Sequence, residues 1–141
     1  MALRQVIDSH RVMRRSFIAL AAAAGIAGFS GGLAADADIA GSWSGGGSVS
    51  FASGSKERAR CRATYSKSGA TSYKVSATCA TASGKVAQTA SVKRSGPSSF
   101  SGSFYNADYD TSGIIHVSVQ GNSQNVTLSS PIATASLRLS R

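Results

Sequence analysis

Few side chains in this 141-residue sequence can do chemistry, and their spacing limits which chemistry that is. Cys61 and Cys79 are the only cysteines. An even pair in an oxidising compartment reads as one intrachain disulfide. A zinc site would need more ligands, and His116 is the one histidine outside the N-terminal leader. Gly41-Ser42-Trp43-Ser44-Gly45 has the outline of a nucleophile elbow, but Trp stands where the serine nucleophile would be and no helix follows. His116 therefore reads as a surface histidine rather than a general base. Asp108-Tyr109-Asp110-Thr111-Ser112-Gly113 opens like a calcium loop, with oxygen ligands at alternate positions and glycine at the sixth. Its twelfth position is Val119 instead of glutamate, so a solvated polar loop is expected. Two acids on one short loop without a cleft do not make a glycosidase pair. No catalytic residue, metal or cofactor is expected.

Charge is the stronger signal. Lys and Arg outnumber Asp and Glu by 15 to 6, a net +9. From Asp38 onward the balance is 11 to 4, or +7. Arg58, Arg60 and Arg62 alternate along one segment, which puts all three on one face of a strand, with Lys74 expected on the neighbouring strand and Lys85 and Lys93 on the next. Such a concentration of positive potential steers anionic partners. Arg58, Arg60, Arg62 and Lys74 form the expected contact set for an anionic envelope component or protein. Nucleic acid is not expected, because Tyr65 and Tyr73 fall on the inward face and leave few stacking platforms. The plain alternative is a charged strand surface that resists edge pairing.

The first 37 residues read as a signal peptide. Arg4, Arg11, Arg14 and Arg15 make a basic start, an apolar run follows from Phe17 to Phe29, and Ala35-Asp36-Ala37 is a small-residue cleavage site. The apolar run is too short for the ~20 residues of a membrane span. Arg14-Arg15-Ser16-Phe17-Ile18 resembles the twin-arginine export signal, departing from it at Met13 and Ala19, and the general secretory route fits equally well. Either route leads to a periplasmic or secreted protein and leaves residues 38–141 as the folded domain.

That domain must place the basic and cysteine residues with strands. Period-two alternation runs through Ala59, Cys61, Ala63 and Tyr65, then Tyr73, Val75, Ala77 and Cys79, with a Lys67-Ser68-Gly69-Ala70 turn between them. Both cysteines thus share one face of a hairpin. Further inward sets follow at Val86 to Val92, Phe100 to Phe104, Ile115 to Val119, around Val126 and Leu128, and Ala135 to Leu139. With a first strand over residues 42–51, eight strands are expected and no helix. Serine and glycine, 27 and 15 residues, fill outward positions and turns. The pattern predicts an all-β, eight-stranded antiparallel up-and-down barrel; a two-sheet β-sandwich satisfies the same periodicity.

Gly41-Ser42-Trp43 resembles the G-x-W of calycin-type barrels, including lipocalins and small bacterial inhibitors of secreted metalloproteases. The resemblance implies that Trp43 plugs the barrel base under a basic side chain of the last strand, with Arg138 the matching residue. The cysteine hairpin is similar to that of the metalloprotease inhibitors over roughly residues 39–79, which implies inhibition as an alternative function. Glu57-Arg58-Ala59-Arg60-Cys61-Arg62-Ala63 and Gly102-Ser103-Phe104-Tyr105-Asn106 resemble stretches in small exported proteins of Gram-negative bacteria. That likeness implies export and the barrel but no activity. Expressed with its own leader, the protein should be recovered beginning at Asp38; intact-mass measurement on the exported product checks this, and an uncleaved chain would refute it.

Overall fold

The computed structural model describes residues 36–141. The expected leader lies outside them except for Asp36 and Ala37. Alternating sequence becomes eight strands: β1 (Gly41–Phe51), β2 (Lys56–Lys67), β3 (Ser72–Thr81), β4 (Gly84–Gly96), β5 (Ser99–Asn106), β6 (Thr111–Gln120), β7 (Ser123–Ser129) and β8 (Ala133–Ser140). Each pairs antiparallel with the next, and β1 also pairs with β8, from Ser44 opposite Ser140 to Phe51 opposite Ala133. The sheet is therefore a closed barrel and not a sandwich. Closure satisfies the backbone of what would otherwise be two edge strands.

The inward side chains form one apolar column. Ala59, Cys61, Ala63 and Tyr65 of β2 face Tyr73, Val75 and Cys79 of β3, and all are buried. Cys61 stands directly opposite Cys79, and the two are joined in a disulfide inside the barrel. Closing that loop stabilises the fold by ~3 kcal/mol on the chain-entropy account. Gly102 is required by a close strand approach, because a Cβ there would run into the Ser91 carbonyl oxygen. The polar stretch after β5 is shorter than its composition suggests. Ser112 and Gly113 pair with Tyr105 and Phe104, so only residues 107–110 turn the chain.

One end of the barrel has a floor. Trp43 is buried, and its indole N–H donates to the Ile39 carbonyl at 2.9 Å. The cation over the indole is Arg141, with Cζ 4.4 Å from the ring centroid, and not Arg138. Strand parity is the reason. Leu137 and Leu139 point inward, so Arg138 points outward, while Arg141 continues the inward set past the end of β8. Its guanidinium also donates to the Asp38 and Ala40 carbonyls at 3.0 and 3.2 Å. A second cation does similar work: Arg94 lies 4.7 Å from the Phe100 centroid and donates to the Ala37 and Pro97 carbonyls. Phe100 in turn meets the Tyr73 ring edge-on at 5.5 Å. Arg141→Ala should therefore lower stability by about 1–2 kcal/mol, whereas Arg138→Ala should stay within ~0.5 kcal/mol. Urea unfolding of both variants checks the order, and a larger loss in Arg138→Ala would refute the assignment.

Candidate functional site: a basic outer wall

The antiparallel register decides which outward side chains become neighbours. Arg58, Arg60 and Arg62 project from β2 and are exposed. On one side they face Ser48, Gly46 and Ser44 of β1; on the other, Arg60 faces Ala80 and Arg62 faces Thr78 of β3. Continuing outward, Gly46 is opposite Arg138 of β8, and Ala80 is opposite Lys85 of β4. One transverse row thus reads Arg138, Gly46, Arg60, Ala80, Lys85. Arg58 and Arg62 flank its middle.

Lys74 is not part of this group. It pairs with Ser66, four residues along β3 from the Thr78 that faces Arg62, or about 13 Å at the rise of a strand. Lys74 instead borders a hydroxyl-lined saddle with Thr64, Ser76, Thr89 and Ser91. The expected set of Arg58, Arg60, Arg62 and Lys74 is therefore divided, and Arg138 and Lys85 take the fourth residue's place. Lys85 was legible as a neighbouring cation; Arg138 joins only because the barrel closes.

The described carboxylates stand at the two ends of the barrel. Asp36 and Asp38 lie at the floor. At the opposite rim Glu57 accepts the Ser83 hydroxyl, Asp108 accepts the Ala87 N–H at 2.9 Å, and Asp110 accepts the Tyr105 hydroxyl at 3.0 Å. Asp108 and Asp110 thus turn to separate partners instead of converging, and no group of three potential metal ligands is found among the described residues. The one ion pair among them is Arg94 with Asp36 at 3.9 Å. His116 is exposed on β6 between Ser101 and Thr127, and no carboxylate among the described residues bonds to it.

Inside the barrel the free space is small. An apolar cavity of about 70 Å³ lies toward the rim, lined by Val49, Ala59, Val86, Phe104 and Ala135 among others, with Gln88 and Asn106 as polar members. A second of about 30 Å³ lies deeper, beside the disulfide. Near the floor the Tyr65 hydroxyl donates to Gln124 Oε1 at 2.7 Å, and burial pushes the Tyr65 pKa well above the usual phenol value. No helix among the described residues is long and apolar enough to cross a membrane.

No protein-family profile and no curated protein matches the chain. Its backbone is similar to solved structures of designed barrels. A redesigned β-barrel, mFAP1, bound to DFHBI superposes with a TM-score of 0.63 at 6% identity, covering 73% of this chain and 94% of that one. A second redesigned barrel, mFAP0, bound to DFHBI gives 0.62 at 7%, covering 73% and 98%. A de novo designed fluorescence-activating barrel gives 0.58 at 15%, covering 73% and 93%. At such identities the likeness is one of fold alone: a closed antiparallel β-barrel.

The floor carries a titration that can be measured. Asp38 accepts the Ala40 N–H at 3.0 Å and the Tyr73 hydroxyl at 2.8 Å. The backbone bond foremost, then the tyrosine and the charges of Lys67 and Arg141, hold its pKa below the ordinary carboxylate value. The unfolded chain then binds the extra proton first, so this stabilisation is complete above about pH 4 and is lost as the pH falls. Asp38→Asn should flatten the acid limb of Tm against pH below about pH 4 relative to the parent protein. An unchanged acid limb would show that Asp38 adds nothing to it.

Proposed function

We propose that this protein is an exported, non-enzymatic binding module that engages an anionic partner outside the cytoplasm through the outer wall of β1–β3. Arg58, Arg60 and Arg62 are its contact residues. One observation carries the reading: three guanidinium groups project from one strand with no carboxylate within ion-pair distance among the described residues. A barrel using these arginines for its own stability would engage them, as Arg141 engages the Trp43 ring and the Asp38 and Ala40 carbonyls. Unpaired, they keep their field available to an incoming anion.

The interior supports the same choice by its size. Two of the similar barrels are described as bound to DFHBI, but about 70 Å³ is far below the ~300–1,000 Å³ of a small-molecule pocket. Binding on the outside of the wall needs no cavity. The intrachain disulfide and the leader-like first 37 residues support a periplasmic or secreted setting. Protease inhibition has no comparable support. Residues 38–40, which remain ahead of β1 once such a leader is removed, are held to the floor by Arg141 and Tyr73.

The reading is tested by salt-dependent retention on a sulfated matrix. Arg58→Ser/Arg60→Ser/Arg62→Ser should lose retention far more steeply than Lys67→Ser/Lys74→Ser/Lys93→Ser, which removes the same charge elsewhere. Equal losses in the two variants would mean that net charge alone is being read, and the proposal would fail.

A further inference from the structure

The bond at which the leader is expected to be cut is built into the folded structure, and so are both cysteines. Resting on the export part of the proposed reading, and not on anion binding, we infer an order of events. The chain crosses the membrane unfolded, the leader is cut and the disulfide forms outside the cytoplasm, and the barrel closes last. That order selects the general secretory route over the twin-arginine route, which carries prefolded proteins.

The first observation is at the floor. On the leader side of the Ala37–Asp38 bond, the Ala37 N–H donates to the Pro97 carbonyl at 3.2 Å and the Ala37 carbonyl accepts from Arg94. On the other side, the Asp38 carboxylate accepts the Ala40 N–H and the Tyr73 hydroxyl, and the Asp38 carbonyl accepts from Arg141. Ile39 is fully buried, and its carbonyl accepts the Trp43 indole N–H. β1 begins at Gly41, so no slack separates the bond from the barrel.

A peptidase cuts a segment that it can draw out of the fold, which burial and backbone hydrogen bonds resist. Drawing out this one would lift Ile39 from the core and uncover Trp43. Water therefore adds to the amide, leaving a carboxylate on Ala37 and an ammonium on Asp38, before the floor is assembled. Cutting takes Asp36 and Ala37 away from Arg94 but leaves Arg141 and Tyr73 their contacts with residues 38–40. The floor can still form afterwards.

The second observation is independent of the first. Cys61 and Cys79 are buried, and their bridge lies inside the barrel. Two thiols are oxidised by exchange with a disulfide oxidant. One thiolate attacks the oxidant to give a mixed disulfide, the other displaces it as a dithiol, and two electrons and two protons pass to the oxidant. The mixed-disulfide stage needs the oxidant's sulfur beside a cysteine. The two cavities that the cysteines line hold about 70 and 30 Å³, too little to admit such an oxidant. Exchange is open while β2 and β3 are not yet enclosed by the other strands. Cytoplasmic thiols stay reduced, so a barrel closed before export would carry both thiols out sealed within it.

The test has two arms. In the first, the purified full chain, oxidised and folded, is treated with a bacterial leader peptidase beside a Phe100→Asp/Val117→Asp variant, in which two fully buried core positions are charged. Circular dichroism confirms that the variant is unfolded. It should yield product beginning at Asp38 at least about tenfold faster than the folded chain. Inserting Gly-Ser-Gly-Ser-Gly-Ser after Ala37, which sets the bond clear of the floor, should bring the folded chain within about twofold of the unfolded rate.

In the second arm, Arg14→Lys/Arg15→Lys keeps the charge of the leader and removes its arginine pair. Expressed in a Gram-negative host, it should be exported as the parent is, with the disulfide formed, read by intact mass and thiol labelling. Equal cleavage of the folded and unfolded chains, or loss of export in the lysine variant, would overturn the inferred order and leave the anion-binding reading standing. Failure of the parent chain to leave the cytoplasm would overturn the export reading as well.

Discussion

The pairing of β1 with β8 is the constraint on which everything else depends. It joins the first described strand to the last, removes both sheet edges and divides every strand into an inward and an outward set. Once the sheet closes, the inward positions of eight strands must fill one narrow column, which is why so many are Ala, Val and Cys. The column is nearly full: its cavities hold about 70 and 30 Å³. A barrel packed in this way has its usable surface on the outside. The same pairing draws Arg138 into line with Arg60, across a strand whose outward residue at that level is glycine.

The molecule uses its cations in two different ways. Arg94 and Arg141 lie over Phe100 and Trp43 at the floor and donate to the carbonyls of residues 37, 38, 40 and 97. These guanidinium groups pack on aromatic faces and donate to backbone acceptors, and they fasten the segment before β1 to the base. The wall residues Arg58, Arg60, Arg62, Lys85 and Arg138 are exposed and form no ion pair among the described residues. Holding like charges together on one sheet disfavours the folded state slightly, and a partner that relieves this repulsion gains affinity from it. The carboxylates stay at the two ends, where they cap turns and the floor instead of neutralising the wall.

Much of this was readable from alternation. The faces of β2 and β3, the shared inward face of Cys61 and Cys79 and the outward direction of three arginines follow from period two, because the side-chain period of a strand is a local property. The floor cation was readable by the same rule: Leu137, Leu139 and Arg141 share a parity that Arg138 does not. The G-x-W resemblance asked only for a basic residue in the last strand, and parity selects one just beyond it. Ser112 and Gly113 read as loop by composition but belong to β6, because they pair with Tyr105 and Phe104 of β5, and a Cβ at Gly113 would run into the Ser129 carbonyl oxygen.

Residue order alone was enough to specify the strands, their two faces and the excess of positive charge. Barrel over sandwich, the separation of Lys74 from the arginines and the entry of Arg138 and Lys85 into their row were settled by the folded arrangement. The reason is physical: alternation sets the direction of each side chain from its immediate neighbours, whereas strand register and sheet closure are set by pairings between residues far apart in the chain, which no local pattern encodes.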